Sequence, residues 1–522
     1  MIMKTILLVI SGVILFFIYS CEEDFLEKSN PNKVTSNSFY TNETEAIQAV
    51  TAAYSAFQRQ GGYNRMGIHA YTVRADEGEF TAFQVGAPAL TGLDDFTVTS
   101  STECVQAIWQ DHYKGVYMCN VVMEKIPGID MDPDLKNRLL GEVHFLRGLY
   151  HFQLMLYFGE EIPIIEQTPK TKADLYPPSA APGVGYASVI NDFTIAKELL
   201  PTVEKFRKTD DLGRATKGAA TAYLGKVYLF QKRYADAARE FKEIIDQQVG
   251  EYKLMPSFRD NHSDYNENNE ESIFEIQYLL YFGNNFEGID TDIGGESCLI
   301  EGECTMVRGV GMSNWNAKPR QKIVDEFEDG DPRFYQTFWT QGGDEFKDTD
   351  GIWKTYEEYC PELYVGMSFW RKWCRDWSDA SHHFDDPNNV RIMRYADVLL
   401  MYAECLIEDP SIGSDWANYI NMVRDRARAD TTTDFYPAGG FIPTVEELIA
   451  AAPVINGITI DNPRAALRHE RWVELCFEFK RWDDIVRWDI GEEVLPTGYK
   501  YLLPIYQGDL DCNPNLKPNA AN

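Results

Sequence analysis

Two stretches of the chain carry acids and guanidinium groups at helical spacing. Arg394, Asp397 and Glu404 lie in one, and Glu470, Arg471, Glu474, Glu478, Arg481 and Asp484 lie in the other. Paired carboxylates on either side of a cleft could act as general acid and base in glycoside hydrolysis. At spacings of three and four residues, however, such groups share one helix face and more often make ion pairs. Arginine stems also cover apolar surface while their heads pair with acid. The expectation is therefore a lock between helices, with a surface glycoside hydrolase as the less favoured reading.

Other chemistry-bearing patterns are weaker. His382 and His383 are adjacent and precede Asp385 and Asp386, but neighbouring residues on an irregular loop rarely point the same way. Asp290, Asp292 and Glu296 surround Gly294 and Gly295 without the ligand spacing of an EF-hand calcium loop. No Gly-x-Ser-x-Gly, His-Glu-x-x-His or phosphate-loop pattern occurs. No metal site and no cofactor are expected. Of the 10 cysteines, Cys298 and Cys304 are close enough to close a small loop, which the spacing leaves open.

These groups need elements to position them. Apolar residues recur at helical spacing over Thr44–Arg59, Glu103–Ile126, Leu135–Phe158 and Tyr186–Leu200, and again over Arg391–Glu408, Asp415–Ala429, Val445–Ala451 and Pro463–Trp488. In Ala215–Gln248, Leu224-Gly225-x-x-Tyr228 followed by Ala237-x-x-x-Phe241 has the spacing of a tetratricopeptide helix pair. Small Gly225 and Ala237 would allow close approach there, with the turn at Gln231-Lys232-Arg233. Between the two helical parts, Gly250–Ser381 is rich in Gly, Asn, Asp and aromatics, and only Ser272–Tyr278 alternates like a strand. Loops this long are usually functional or poorly ordered. The expected fold is mainly all-α: a tetratricopeptide-like scaffold over about 39–250 and 391–522, and a loop-rich insertion over about 250–390 carrying a few short strands.

The start of the chain reads as an export signal. Lys4 precedes an apolar run from Ile6 to Ile18, and Ser20-Cys21 leads into Glu22-Glu23-Asp24. The run is short of the roughly 20 residues that a membrane-spanning helix needs. It is read as a signal peptide over 1–20, with Cys21 as the lipidated residue and 21–38 as a tether into a single domain over 39–522. The formal net charge of −32 repels phosphate backbones, so nucleic acid is not an expected partner.

In this setting the chain resembles the SusD/RagB family. The resemblance rests on blocks in order: the lipobox with its acidic triplet; Leu146-Arg147-x-x-Tyr150 running into Tyr157-Phe158-Gly159; Gly213-Arg214-Ala215-Thr216-Lys217; Asn269-Glu270-x-Ser272-Ile273-Phe274-Glu275; Asp331-Pro332-Arg333; Arg394-Tyr395-Ala396-Asp397 through Glu404; Glu470-Arg471 through Trp482-x-Asp484; and Tyr501-Leu502-Leu503-Pro504-Ile505. One departure stands out. Phe479 occupies a position where the family usually has glycine.

The resemblance implies a non-enzymatic lipoprotein on the outer membrane, facing the cell exterior. It would capture a glycan and pass it to a SusC-like TonB-dependent transporter. The alternative is a RagB-like relative that takes peptide or protein nutrients. In such proteins the ligand site is assembled from two parts of the chain, and here both hold aromatic rings in polar loops. The first runs from Tyr63 to Phe96 and the second from Tyr278 to Trp377. Rings would cover the C–H faces of a sugar while polar groups bond its hydroxyl rim. Phe83, Tyr281, Phe286 and Trp315 are the expected platforms, with Arg74, Asp76 and Asn314 as polar partners.

Overall fold

Each principal helix packs on a neighbour in an almost unbroken series. The computed structural model describes residues 39–80, 92–278, 317–341, 366–373, 388–430 and 442–521, and the backbone of 345–347 and 353–355. The main helices are α1 (Glu43–Ser55), α2 (Arg65–Thr72), α3 (Glu103–Lys125), α4 (Pro133–Phe158), α5 (Val184–Leu199), α6 (Lys217–Phe230) and α7 (Tyr234–Ile245), then α8 (Tyr395–Glu408), α9 (Trp416–Ala429), α10 (Val445–Ala451), α11 (Pro463–Leu475) and α12 (Arg481–Trp488). Helix α3 lies against α1 and α4, α4 against α5, α5 against α6 and α6 against α7. Helix α7 then contacts α8, which contacts α9 and α11. The scaffold expected on both sides of the loop-rich region is thus joined through the α7–α8 contact.

Local chemistry sets the helix starts. Asn42, Asp132, Thr216 and Asn462 each accept a backbone N–H of the first turn through the side chain, and Thr444 does so within a capping box. The tetratricopeptide-like pair α6–α7 forms as its spacing predicts. A Cβ on Gly225 would sit 2.6 Å from the Phe241 ring, so the missing side chain is what admits that ring. Gly115 plays the same part for Tyr150, whose hydroxyl donates to the Ala53 carbonyl at 2.7 Å.

Two sequence expectations are corrected. The helix expected over Arg391–Glu408 begins only at Tyr395. Val390–Arg394 is instead a strand, β8, which follows the short strands β4 (Phe338–Trp339), β5 (Glu345–Lys347), β6 (Trp353–Thr355) and β7 (Phe369–Trp370) and pairs antiparallel with β2 (Ser272–Ile276). Strand pairing outweighs the helical pattern there, and every residue of β8 is buried. The helix expected over Pro463–Trp488 is broken between Leu475 and Arg481. Phe477 and Phe479 have φ of +57° and +62°, which no α-helix tolerates. Packing holds this turn: the Phe477 ring stacks on Trp370 at 4.4 Å, and the Lys372 ammonium donates to the Glu474 and Cys476 carbonyls at 3.0 and 2.9 Å.

The C-terminal segment closes over the first helices. The Leu503 N–H donates to the Tyr157 carbonyl at 2.7 Å, and the Asn519 side chain donates to the carbonyls of Phe158 and Leu503. Among the described residues no helix is long and apolar enough to cross a membrane.

Candidate functional site

The carboxylates that could have done acid–base chemistry are buried among cations. Arg394, at the end of β8, donates to Glu474 at 2.6 Å, to Glu271 at 2.7 Å and to Glu478 at 2.6 Å. Arg333 binds Glu470 at 2.6 Å, Glu474 at 2.9 Å and Asp331 at 2.7 Å. Arg424 takes the other oxygen of Glu470 at 2.7 Å, Arg426 reaches Glu474, and Lys372 lies 2.6 Å from Glu478. A second cluster joins α8, α11 and α12. Arg471 bridges Asp397 at 3.0 Å and Asp484 at 2.9 Å, while Arg487 bridges Asp484 and Glu404.

Electrostatics places these acids far from hydrolytic duty. Burial by itself would raise the Glu474 carboxyl, but Arg426, Arg394 and Arg333 overcome that and hold it well below the usual range. Glu478 is held down in the same way, against the same burial, by Arg394 and Lys372. Asp484 falls to about 2, with Arg471 and Arg487 outweighing its burial. A glycosidase acid needs a raised pKa to carry a proton at neutral pH. These groups stay ionised and shared between arginines, so they tie β8, α8, α9, α11 and α12 together. Sequence reasoning placed the α8 and α11–α12 members of this lock. It missed Glu271, Lys372 and Arg426, whose partners come from distant parts of the chain, and gave no role to Arg333, although Asp331-Pro332-Arg333 was visible as a block.

The two chain segments expected to form the ligand site meet at a short sheet. Strand β1 (Gly78–Phe80) pairs antiparallel with β3 (Ala317–Pro319), with Gly78 opposite Pro319, Glu79 opposite Lys318 and Phe80 opposite Ala317. The register is pinned by charge. Lys318 reaches Glu79, and Arg320 donates to the Gly78 carbonyl at 2.9 Å and to Glu79 at 3.3 Å while also reaching Asp94. The Phe80 N–H donates to Asp94 at 3.1 Å.

Of the expected ligand residues, Arg74 and Asp76 fall among those described, and both are buried. The Arg74 guanidinium lies over the Trp482 ring at 4.1 Å and donates to the Tyr501 carbonyl at 3.0 Å. Asp76 accepts two bonds from Arg481, at 2.6 and 2.7 Å, and one from Lys322 at 3.2 Å. Both therefore hold the root of β1 against α12 and the C-terminal segment. Phe83, Tyr281, Phe286, Asn314 and Trp315 lie outside the described residues, as do Cys21, Cys298, Cys304, His382, His383 and the acidic loop at Asp290–Glu296. Among the described residues no cluster of His, Cys, Asp or Glu could hold a metal ion.

This architecture of packed helix pairs has clear counterparts. Residues 246–497 match the SusD family, and residues 24–229 match the family described as starch-binding associating with outer membrane. The chain is 26% identical to SusD-like protein P2 of Formosa agariphila, across 97% of each chain. It superposes on a SusD superfamily protein from Bacteroides vulgatus with a TM-score of 0.73 at 25% identity, covering 93% of this chain and 100% of that one. A laminarin-binding SusD-like protein shares the fold with a TM-score of 0.72 at 22% identity, over 92% of this chain and 100% of that one. The chain belongs to the SusD family.

Proposed function

We propose that this protein is a cell-surface lipoprotein that binds a glycan and hands it to a SusC-like TonB-dependent transporter of the outer membrane. The observation that carries the reading is the β1–β3 pair. Phe80 and Ala317 stand opposite each other. Phe83 follows the first by three positions and Trp315 precedes the second by two. The pairing thus ties the two ring-bearing segments to one base. Phe83, Tyr281, Phe286 and Trp315 act as platforms and Asn314 as a polar partner, while Arg74 and Asp76 support the base on which these sit. The laminarin-binding relative of the same fold favours a glycan as ligand.

The family description favours the outer membrane as the site of action. The leader over 1–20 is removed, Cys21 carries the lipid, and residues 21–38 lead from the membrane to the domain over 39–522. Glu474, Glu478 and Asp484, buried and held ionised by their cations, favour a binder over a hydrolase, because none of the three holds a proton to donate at neutral pH.

Affinity electrophoresis of the intact protein against a panel of polysaccharides tests the reading. Retardation by particular glycans is expected, and Trp315→Ala abolishes it. Equal migration in every gel contradicts glycan binding. Metabolic labelling with a fatty-acid analogue tests the anchor, and Cys21→Ala removes the label.

A further inference from the structure

A cavity of about 310 Å³ opens beside α11, lined by several cationic side chains together with Glu326 and Glu493. Most of those cations are already matched. Arg464 is held by Glu408 at 2.6 and 2.7 Å, His469 lies between Glu326 at 2.9 Å and Glu328 at 3.2 Å, and Lys322 and Arg481 share Asp76. Arg468 differs. Among the described residues it makes no ion pair and no hydrogen bond, and its guanidinium rests 5.1 Å from the Trp488 ring. Exposed Glu493 acts on it electrostatically without forming an ion pair.

A second donor in the same wall is also unmatched. Trp472 is 5% exposed, lines the cavity, and its indole N–H has no partner. Leaving a buried donor unmade is unfavourable, and buried polar groups nearly always find partners. The lining also includes aliphatic Ile455, Ile458 and Ile460 from the hairpin β9 (Val454–Ile455) to β10 (Ile458–Thr459) and its exit. Ile458 is 50% exposed there. Unmatched N–H groups and aliphatic surface in one cavity suit an oxyanion fixed to a body with C–H faces.

We propose that this cavity is a second binding site, which takes the oxyanion of an acidic sugar, either a uronate carboxylate or a sulfate ester. Arg468 supplies the charge-assisted bonds, the Trp472 indole adds a neutral donor, and the isoleucines cover one face of the ring. The volume sits at the lower end of the range for small-molecule sites, which suits one sugar residue better than a long segment. The strongly acidic chain disfavours free anions at long range. Occupancy therefore depends on these short contacts.

Calorimetric titration of the intact protein with methyl glucuronide, glucose 6-sulfate, glucose and inorganic sulfate tests the site. One or both anionic sugars should bind at least about tenfold more tightly than glucose and inorganic sulfate. Preference between the two anions identifies the group. Arg468→Gln should weaken that binding about tenfold at unchanged thermal midpoint, and Trp472→Phe should weaken it less. Arg468→Lys should restore part of the loss. Polysaccharide binding that depends on Trp315 should be unchanged in Arg468→Gln, which separates this site from the loop site. Equal binding of glucose and the acidic sugars, undiminished binding by Arg468→Gln, or tighter binding of a peptide with a free C-terminal carboxylate would overturn the proposal.

Discussion

Phe80 stands opposite Ala317 in the antiparallel β1–β3 pair, where β1 ends and β3 begins. Residues more than 230 positions apart thereby share one rung. The rung is fixed from below: Glu77 accepts the Arg320 N–H through its carbonyl at 2.9 Å, and Asp76 is clasped by Arg481.

Asp76→Asn should strip Arg481 of its bidentate partner in a buried setting. Removing one member of a buried pair costs about 3–5 kcal/mol. A fall in the midpoint of denaturant unfolding of that order is expected. Glycan affinity should fall with it, because the root of β1 is released from α12.

Phe479 carries a cost that its ring outweighs. It sits at φ +62° and is 3% exposed, packed edge-on against Tyr63 at 5.7 Å. Phe479→Ala removes the ring and keeps the left-handed backbone, so a loss of about 3–5 kcal/mol is expected. Phe479→Gly also removes the ring but relaxes the backbone by about 1 kcal/mol. The glycine variant should therefore be more stable than the alanine variant, the reverse of the usual order. Chemical denaturation of both variants checks this.

Glu77 should make stability fall as pH rises. Burial pushes its carboxyl up to about 8, only partly offset by the Phe477 N–H. A raised carboxyl binds its proton more tightly in the folded state. Its stabilising contribution is full below the unfolded value near 4.5 and fades as pH rises toward about 8. Glu77→Gln keeps the shape without the titration. That variant should be more stable than the parent at pH 8 and lose the slope between pH 5 and 8.

The charge lock predicts the opposite trend in acid. Asp484 is held at about 2, and Glu474 and Glu478 are held lower than their ordinary values, by arginines that outweigh burial. Their contribution is complete above about 4.5 and is lost as pH falls through the folded values. Thermal midpoints of the Glu77→Gln variant, which lacks the Glu77 slope, should be flat from pH 5 to 6 and drop steeply below pH 4. Glu474→Gln should shift the protein to lower stability at pH 6 and flatten part of that acid limb.

Local signals carried much of this architecture. The spacing around Leu224, Gly225 and Phe241 gave the helix pair, and acids and arginines at i, i+3 and i+4 foretold ion pairing. The failures share a cause. Arg391 to Arg394 fit a helical period, yet β2 claimed them as a strand, and the break at Phe477–Phe479 depends on Trp370, Lys372 and Trp373 from elsewhere, the Trp373 indole donating to the Phe477 carbonyl at 2.9 Å. Partners more than 100 residues away leave no trace in a local window. Arg74 and Asp76 illustrate the same limit for the site. Polar residues in an aromatic loop look ready for ligand, but Trp482 and Arg481 occupy them from the far end of the chain. The cavity at Arg468 was likewise invisible, since it depends on which cations already have partners.

Under the proposed function, both ring-bearing segments grip one glycan from the β1–β3 base. The direct test is a double-mutant cycle on binding of a polysaccharide that the protein retains, using Phe83→Ala, Trp315→Ala and the double variant. The account predicts that each single change weakens binding by about tenfold or more, and that the double variant loses less than the sum, because both rings serve one ligand. Unchanged affinity in both single variants, with folding intact, would contradict it.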